Sequence, residues 1–434
     1  MPASRRAMIP PPAALLEAPV PAPIREVVAR LRELNHAVYL VGGCVRDILR
    51  GVPPKDFDVA TSAFPEEVQK AFRKVIPTGL QHGTVTVLAG QEHVEVTTFR
   101  SEGDYHDGRR PNTVTFERDI AKDLSRRDFT INAMAWDPLG LQFVDPFGGR
   151  HDLDARLIRC VGSALARFSE DGLRPLRAVR FAAVLGFTLD AETQAAIPQT
   201  LPVFRKVSLE RVREEFVKLL MSPRAEMGLE LLASTGLLEV FLPELAGVDA
   251  EAARLARATA AAAAAPAELE VRLAALLADV VDGAGAEALC VRLKFPTKVA
   301  ERVRLLVSLA ALEQHLESEP PALRRLLARV GPAQLEALLE VARARFEVRL
   351  ESRRGDFERL QARLRDVAAG KPPLSPKELA LNGGAIMAAL GVGPSPLVGQ
   401  ATRFLMEWVL DEPSRNTAES LREALEAWKK TQGA

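Results

Sequence analysis

Short apolar runs with two different periods divide the chain into a strand-containing N-terminal part and a long helical remainder. The run at residues 37–41 predicts a buried strand, and the alternation at 84–88 and 93–99 predicts an antiparallel hairpin. Residues 24–35 carry apolar positions three and four apart, which is the spacing of an amphipathic helix. From about residue 163 onward the strand pattern largely disappears and helical spacing recurs. The pattern therefore predicts an α+β domain followed by an all-α region.

The length of 434 residues predicts two to four domains, because a single core of that size is rare. A hydrophobic content of 47% and a charged content of 26% are ordinary for a globular protein. The formal net charge is zero, so any surface for nucleic acid must be a local patch rather than a field of the whole protein. Residues 1–23 are rich in proline and alanine and predict a flexible leader.

The sequence pattern contains no signal for a membrane or for secretion. No apolar run reaches the length of a membrane span, and the start lacks the apolar core of a signal peptide. The three cysteines, Cys44, Cys160 and Cys290, lie far apart without the spacing of a metal site, which is typical of a reducing cytosol. We therefore expect a cytoplasmic protein with no membrane partner.

A glycine pair and the carboxylate pair that follows it carry the clearest candidate chemistry. Gly42 and Gly43 stand between the predicted strand and a helix start, where backbone N–H groups can cradle an anion. Asp56 and Asp58 stand at i and i+2, so on a strand both carboxylates face one side. Adjacent carboxylates repel unless a cation lies between them, and Mg²⁺ favours such ligands together with substrate phosphates. Because each element alone is common in turns and exposed strands, the hypothesis rests on their order and spacing.

Two further features near this site have open interpretations. Glu95, in the second strand of the hairpin, could complete the carboxylate site, and a solvated strand residue is the equal alternative. Residues 101–112 are rich in glycine, aspartate and arginine and lack periodicity, which predicts a mobile loop. Long polar loops beside phosphate sites often act as lids, although a plain surface loop has the same composition.

A charged segment near residue 125 predicts another helix start. Ser125 is the predicted N-cap, and Asp128 occupies the acidic position three residues later. Asn132 falls one turn further on the same face. Arg127 and Asp128 at such a helix start can meet a triphosphate and a ribose. A solvated helix start is the alternative, because this segment alone is a weak signal.

Arginines recur at helical spacing in two later segments. In a helix predicted over 168–183, Arg174, Arg177 and Arg180 share a face, and arginine presents paired planar donors to a base edge or a phosphate. A solvated basic face is the alternative, but the dense apolar positions around them favour a pocket. In residues 343–365 the arginines are interspersed with acids, so contact with an RNA backbone and a solvated helix face remain equally open.

Taken in order, these motifs resemble the family of class II tRNA nucleotidyltransferases and bacterial poly(A) polymerases. The resemblance covers roughly residues 38–220, and a weaker one to CCA-adding enzymes continues over 374–416. It implies a polymerase β-like nucleotidyltransferase head with a mixed or antiparallel sheet, followed by an all-α neck, body and tail. The motifs that carry it are Leu40-Val41-Gly42-Gly43-Cys44-Val45-Arg46-Asp47, Asp56-Phe57-Asp58, Val94-Glu95-Val96-Thr97-Thr98-Phe99-Arg100, Arg110-Pro111, Arg126-Arg127-Asp128-Phe129-Thr130-Ile131-Asn132-Ala133 and the Glu170-Asp171 pair with Arg174.

The resemblance also implies roles for the matching residues. It implies that Gly42, Gly43 and Arg46 bind the triphosphate. It implies that Asp56 and Asp58 hold Mg²⁺. Glu95 is a further catalytic candidate from its place in the hairpin rather than from the resemblance. Asp171 and Arg174 match the pair that hydrogen-bonds the Watson–Crick edge of CTP or ATP, and residues 101–112 match a flexible loop associated with adding the terminal A. The other predicted nucleotide-binding residues are Arg127, Asp128, Asn132, Arg177 and Arg180.

The expected domain division follows the family. After the leader come a nucleotidyltransferase head at 24–150 and a helical neck with base recognition at 151–225. A helical body at 226–340 and a tRNA-binding tail at 341–434 complete the chain.

The implied activity is template-independent addition of CCA to tRNA 3′ ends from CTP and ATP, with Mg²⁺ as cofactor and release of pyrophosphate. The alternatives are a poly(A) polymerase, an enzyme that adds only CC or only A, and a catalytically silent RNA-binding protein. Residues 170–183 look more like the CCA-adding group than the poly(A) group, and the intact Asp56 and Asp58 argue against a silent protein. We expect tRNA, CTP and ATP as partners, and no obligate protein partner.

Overall fold

The computed structural model describes residues 8–103, 114–245 and 250–432, and the chain forms two compact units, Met1–Ala246 and Gly247–Ala434. All described strands belong to the first unit. In chain order they are β1 (Met8–Ile9), β2 (Val38–Val41), β3 (Asp58–Thr61), β4 (Val75–Gly79), β5 (Thr84–Ala89), β6 (Glu92–Thr98), β7 (Arg100–Glu102), β8 (Val114–Phe116), β9 (Ala135–Asp137), β10 (Gln142–Val144), β11 (Leu157–Ile158) and β12 (Thr188–Leu189).

Helices accompany these strands and make up the second unit. In the first unit they are α1 (Ala13–Leu16), α2 (Ala22–Glu33), α3 (Gly43–Leu49), α4 (Pro65–Ala71), α5 (Ile120–Ser125), α6 (Gly149–Asp154), α7 (Ala164–Glu170), α8 (Arg174–Leu185), α9 (Ala191–Gln199), α10 (Leu201–Phe204), α11 (Leu209–Leu220), α12 (Ala225–Ser234) and α13 (Leu237–Phe241). In the second unit they are α14 (Ala250–Ala264), α15 (Leu269–Leu277), α16 (Gly283–Arg292), α17 (Thr297–Leu309), α18 (Pro320–Val330), α19 (Leu335–Arg349), α20 (Arg354–Ala369), α21 (Gly383–Leu390), α22 (Pro396–Asp411) and α23 (Ala418–Gln432).

The main sheet of the first unit has eight strands in the order β1-β10-β9-β2-β3-β6-β5-β4. β3 runs parallel to β6, and the other neighbours are antiparallel, so the sheet is mixed. β2 is buried at all four positions, which explains why its sequence is a continuous apolar run rather than an alternating one. This sheet, followed by a helical remainder, confirms the predicted α+β class, and β5 and β6 form the predicted hairpin.

The register of the sheet decides where its polar residues lie. Asp58 is the first residue of β3, and it pairs with Val41 on β2 and with Glu95 on β6. Asp56 precedes the paired residues of β3, so this strand begins at Asp58, two residues later than predicted. Asp58 therefore has a position set by two neighbouring strands, whereas Asp56 lies in the loop that leads into β3.

The prediction of a flexible leader at 1–23 is wrong for residues 8–23. β1 pairs antiparallel with β10, and α1 packs on α3. Leu15 is completely buried and Val20 is 5% exposed. Proline-rich composition suggested disorder, but two apolar anchors and one strand pairing order this segment on the edge of the sheet. Residues 1–7 lie outside the described part of the chain.

Two helix predictions also need correction. Ser125 ends α5 rather than starting a helix, and a 3₁₀ turn, Thr130–Asn132, follows after a short extended connection. The N-cap of α5 is Asp119, whose carboxylate accepts the N–H of Ala121. The helix predicted over 168–183 is broken at Asp171, where α7 ends and the chain turns before α8.

The predicted mobile loop at 101–112 falls largely outside the described residues. Its first two positions belong to β7, which pairs antiparallel with β8. Residues 104–113 are not described, so the lid hypothesis stays a prediction.

The predicted boundary between neck and body, after residue 225, falls inside the first unit. α12 packs on α8 and α11, so this helix groups with the predicted neck. The division into neck, body and tail otherwise stays a prediction.

The arginine-rich segment of the second unit is paired within the chain. Arg345 is 3% exposed and donates from Nη2 to Asp279 at 2.7 Å and from Nη1 to Glu313 at 3.2 Å. The other arginines of this segment are Arg343, Arg349, Arg353, Arg354, Arg359, Arg363 and Arg365, and each contacts an acid or a backbone carbonyl. The structure therefore favours internal ion pairing over contact with an RNA backbone for this segment.

The helices described by the structure include none that is both long and apolar enough to cross a membrane.

We predict that Arg345→Ala lowers the free energy of unfolding by about 3 kcal/mol, because it leaves the carboxylates of Asp279 and Glu313 without their buried partner. Urea unfolding followed by circular dichroism measures this change. Arg354→Ala is the matched control, because Arg354 and its partner Glu358 are each 62% exposed at the side chain. We expect that control to cost less than about 1 kcal/mol. Equal losses in both variants would contradict the prediction.

Candidate active site

The turn between β2 and α3 requires glycine at its first position. Gly42 has φ 73° and ψ −130°, a conformation that residues with a side chain rarely adopt. A Cβ atom at Gly42 would also lie 3.0 Å from Nη1 of Arg127 and 3.7 Å from Oδ2 of Asp58. The backbone of this turn therefore lies against both side chains, and Gly43 begins α3 directly after it.

Arg46 points from α3 into the site and is held there by polar contacts. Its Nε and Nη2 donate to the two carboxylate oxygens of Asp47 at 2.9 and 3.0 Å, and its Nη1 donates to Oδ1 of Asn132 at 2.7 Å. Its guanidinium carbon also lies 5.4 Å from the centre of the Phe181 ring. The guanidinium is therefore fixed in orientation by three different elements of the chain.

The carboxylate pair carries an electrostatic cost in this structure. Burial raises the pKa of Asp58, the guanidinium of Arg127 lowers it, and the negative charge of Asp56 raises it, with a net rise. Asp56 and Glu95 are exposed at the edge of the same region. Carboxylate oxygens whose mutual repulsion is only partly relieved are suitable ligands for a hard divalent cation.

The donor set fits a cation held by two carboxylates and a substrate. Over residues 8–103, 114–245 and 250–432 the structure has no group of three or more His, Cys, Asp or Glu side chains that could hold a metal ion. Mg²⁺ commonly takes one or two protein carboxylates and completes its shell with phosphates and water. Asp56 and Asp58 fit that pattern, and the role of Glu95 stays a prediction.

Asp128 is the centre of a buried polar network. Arg177 donates to Oδ2 of Asp128 from Nη2 at 2.7 Å and from Nε at 2.9 Å, and the amide of Asn132 donates to Oδ1 at 3.2 Å. Burial alone would raise the pKa of Asp128, but the charge and hydrogen bonds of Arg177 lower it to about 2. The predicted helix start at Ser125 is wrong, yet the predicted proximity of Asp128 and Asn132 holds because the 3₁₀ turn brings them together.

The break between α7 and α8 places Asp171 and Arg174 beside the network. Gly172 permits this break, because a Cβ atom there would lie 2.6 Å from the carbonyl oxygen of Val203. Asp171 accepts from Nη2 of Arg211 at 2.9 and 3.2 Å, and it accepts the N–H of Leu173 at 3.0 Å.

Arg174, the first residue of α8, is held by its neighbours on three sides. It is 8% exposed and donates to the carboxylate of Glu170, to the carbonyl of Arg167 at 2.9 Å and to the carbonyl of Arg126 at 3.1 Å. Together with the contacts of Asp171, these bonds fix a carboxylate and a guanidinium in one wall of the site.

Arg180 depends on a residue that the sequence patterns did not reveal. Its Nε donates to Oε2 of Glu215 at 2.8 Å, and its guanidinium carbon lies 3.6 Å from the centre of the Phe181 ring. Glu215 is 4% exposed, and although burial raises its pKa, the charge of Arg180 and its neighbours lowers it overall. α11 thus supplies the counter-charge that allows Arg180 to be buried.

Two cavities meet at Asp58. The first has a volume of about 510 Å³ and is lined by six arginines, three aspartates and four other residues. The second has a volume of about 570 Å³ and is rich in carboxylates. The first is lined by Gly42, Gly43, Arg46, Asp58, Arg126, Arg127, Asp128, Asn132, Asp171, Arg174, Arg177, Arg180 and Phe181. The second is lined by Pro21, Ile24, Pro54, Lys55, Asp56, Phe57, Asp58, Thr86, Glu92, His93 and Glu95.

The first cavity therefore collects all predicted site residues except Asp56 and Glu95, which line the second. The patterns missed Arg126 and Phe181 in the first cavity, and Arg211 and Glu215 behind it. Phe181 lies four residues after Arg177 in the predicted helix, so helical spacing alone predicts that the two share a face. Arg211 and Glu215 gave no local signal, because an arginine and a glutamate on an amphipathic helix are usually solvated.

Comparison with known proteins gives two matching family models. Residues 38–159 match the poly A polymerase head domain, and residues 186–248 match a domain described as the probable RNA and SrmB-binding site of polymerase A.

Individual relatives extend this match along the chain. A CCA-adding enzyme of Geobacillus stearothermophilus is 50% identical over 221 residues, which is 51% of this chain and 54% of that enzyme. The match thus spans about half the length of that relative. A CCA-adding enzyme of Lactiplantibacillus plantarum is 34% identical over 400 residues, covering 92% of this chain and 94% of that enzyme. The crystal structure of the Bacillus stearothermophilus CCA-adding enzyme in complex with CTP superposes with a TM-score of 0.76 at 35% identity, covering 95% of this chain and 99% of that one.

We predict that Asp128 contributes about 2 kcal/mol of stability that is lost on acidification, because its pKa lies below that of an unfolded aspartate. A depressed carboxyl pKa stabilises the fold above the unfolded value, so the loss should run from about pH 5 down to about pH 2. Urea unfolding over this pH range measures it.

The variant Asp128→Asn should flatten this part of the acid limb. Asp154→Asn, at a side chain that is 60% exposed, is the matched control and should reproduce the wild-type pH dependence. An unchanged acid limb in Asp128→Asn would show that the stability does not depend on this carboxyl.

Proposed function

The chain belongs to the CCA-adding enzyme family of tRNA nucleotidyltransferases, and on that premise we propose that it adds C, C and A in turn to the 3′ ends of tRNA. The substrates are CTP and ATP, and no nucleic-acid template is used. The observation that carries this proposal is the lining of the first cavity. This lining includes Asp58, a proposed phosphate wall formed by Gly42, Gly43 and Arg46, and a proposed base-recognising wall formed by Asp171 and Arg174. In each cycle the RNA 3′-oxygen bonds to the α-phosphorus of the nucleotide, and the bond from that phosphorus to the pyrophosphate breaks.

Charge supports placement of the triphosphate in the first cavity. The cavity is lined by six arginines and three aspartates, so a bound polyanion would offset its excess positive charge. The buried Nε of Arg127 has no hydrogen-bond partner among the described residues, and an unsatisfied buried donor is well suited to a phosphate oxygen. Arg46 is already oriented by Asp47 and Asn132, so binding costs it little rotational freedom.

Nucleotidyltransferases of this kind generally use divalent metal ions, and we propose Mg²⁺ at Asp56 and Asp58. When bound there, Mg²⁺ would polarise the phosphate, favour ionisation of the RNA hydroxyl and neutralise charge on the leaving pyrophosphate. The two aspartates supply the oxygen ligands. Asp58 borders both cavities, so it lies where a nucleotide and an RNA end would meet.

Base choice is assigned to Asp171 and Arg174. A carboxylate and a guanidinium offer acceptors and donors that match the Watson–Crick edges of cytosine and adenine in different pairings. A site built to bond such an edge rejects a base that leaves its polar groups unpaired. Because Arg211 holds Asp171 and Glu170 holds Arg174, the pair is oriented before the base arrives.

The second cavity is the proposed approach of the RNA 3′ end. In-line displacement requires the attacking hydroxyl to lie opposite the leaving pyrophosphate, and the second cavity shares Asp58 with the first but none of its arginines. Lys55 is a cation on its rim that can contact an RNA phosphate, and Pro54 and Phe57 offer apolar surface to a base. The tail helices are proposed to bind more distant parts of the tRNA.

The cytosol is the proposed location. Cys44, Cys160 and Cys290 are buried free thiols, which suits a reducing compartment.

We predict that the products on tRNA lacking its terminal CCA will be CC with CTP alone and CCA with both nucleotides. ATP alone should give no product on this RNA. A sequencing gel of the products measures this outcome. Long A tails from ATP alone would indicate a poly(A) polymerase, and a stop at CC with both nucleotides would indicate a partial enzyme.

Asp58→Asn should reduce the rate at least about 100-fold, because it removes a charged metal ligand, and full activity in Asp56→Ala would refute the metal assignment.

We predict that Lys55→Ala raises the KM for tRNA about three- to fivefold, because it removes one exposed phosphate contact. The KM for CTP should not change, because Lys55 lies outside the first cavity. Steady-state kinetics with each substrate varied in turn measures both constants. Lys74→Ala is the matched control, since Lys74 is exposed and lines neither cavity. A change confined to the KM for CTP would contradict the placement of the RNA end.

A further inference from the structure

The N-terminal arm, defined as residues 8–21, is anchored on the catalytic unit at three points. Met8 and Ile9 pair with Val144 and Phe143 at the edge of the main sheet. Leu15 is completely buried, and Val20 is 5% exposed. The arm thus has a defined path, and α1 within it packs on α3, the helix that begins in the glycine turn of the active site.

The arm faces the loop that carries Asp56. This loop, residues 50–57, links α3 to β3, and a cavity of about 500 Å³ separates it from the arm. Ala14, Ala18 and Pro19 line the arm side of this cavity. Pro53 and Phe57 line the loop side, and the cavity wall is largely apolar. The arm and the loop therefore bound one cavity, and the packed connection between them is α3, on which α1 packs and from which the loop leads.

The same loop separates the apolar cavity from the carboxylate-rich one. Pro21, Pro54 and Phe57 line both cavities, whereas Asp56 and Asp58 line only the carboxylate-rich cavity of the two. Phe57 stands between the two aspartates in sequence, so a residue that lines the cavity shared with the arm adjoins both proposed metal ligands.

The two aspartates differ in how firmly they are held. Asp58 has ladder partners on β2 and β6, whereas Asp56 precedes the ladder. The backbone at Asp56 is therefore the less constrained of the two, and it belongs to the loop that bounds the cavity shared with the arm.

We propose that the N-terminal arm is a positioning element that holds the loop carrying Asp56 in place for binding of a divalent cation. This inference rests on the proposed function, because it assumes that Asp56 and Asp58 hold the metal ion. The positioning residues are Leu15 and Val20, which anchor the arm, and the link to the loop is α3, on which α1 packs. None of them contacts the reacting atoms.

The test is direct binding of Mn²⁺, measured by electron paramagnetic resonance of the free ion, on the full-length protein with a non-hydrolysable CTP analogue. Leu15→Ala should weaken Mn²⁺ binding by up to about tenfold, the low end of the effect of losing an outer-shell partner, because the arm lies further from the metal ligands than such a partner does. Val20→Ala is a milder second variant in case Leu15→Ala does not fold, and it should shift binding in the same direction.

The matched control is Leu232→Ala, which removes an equally buried leucine from α12 in the same unit. It should lower the melting temperature without weakening Mn²⁺ binding. Equal weakening in Leu15→Ala and Leu232→Ala would overturn the proposal, since it would show only a general loss of stability. No weakening in either arm variant would also overturn it.

A double-mutant cycle with Asp56→Asn separates this proposal from the proposed function. If the arm acts through Asp56, Leu15→Ala should have no further effect on Mn²⁺ binding in the Asp56→Asn background. If Asp56→Asn alone leaves Mn²⁺ binding unchanged, the metal assignment fails and the arm proposal falls with it. If Asp56→Asn weakens binding and the arm variants do not, the arm proposal fails by itself.

Discussion

The ion pair between the buried Asp128 and the half-buried Arg177 is the contact on which the rest of the candidate active site depends. Gathering six buried or half-buried arginines around one cavity is unfavourable unless anions compensate them, and Asp128 compensates Arg177. Its second carboxylate oxygen accepts from Asn132, which in turn accepts from Arg46. One carboxylate therefore connects Arg46, in the proposed phosphate wall, to α8, in the proposed base-recognising wall. A change in its charge would alter both walls together.

In the proposed function, this arrangement separates base recognition from the transfer chemistry. The arginines are oriented by acids that lie behind them, as Arg180 is by Glu215 and Arg174 is by Glu170. The carboxylates of Asp56 and Asp58 instead repel one another and are only partly compensated by Arg127, which suits them to a cation. An oriented cationic wall and a partly compensated anionic edge, meeting at Asp58, match the two complementary requirements of the proposed nucleotidyl transfer.

Several parts of this site could be predicted because their signals are local. The glycine turn at Gly42 needs a backbone conformation that only glycine adopts readily, and the carboxylates at 56 and 58 stand beside a recognisable apolar strand. The helix boundaries near Ser125 and Asp171 could not be predicted. Ser125 is a good N-cap by type, but the chain there leaves α5 to form contacts with residues far along the sequence. The break at Asp171 depends on Gly172 approaching the carbonyl of Val203, some thirty residues later.

By itself, the sequence determined the fold class, the order of the motifs and the chemical type of nearly every group in the two cavities. These features could be predicted because apolar periodicity, glycine turns and adjacent carboxylates are signals contained within a few neighbouring residues. Only the tertiary structure decided which charges pair, since Arg46 meets Asn132 and Arg177 meets Asp128 across 86 and 49 residues. It also decided that a proline-rich start is an ordered arm, because the burial of Leu15 depends on the surface that α3 presents. Long-range burial sets electrostatic partners, and no local pattern carries that information.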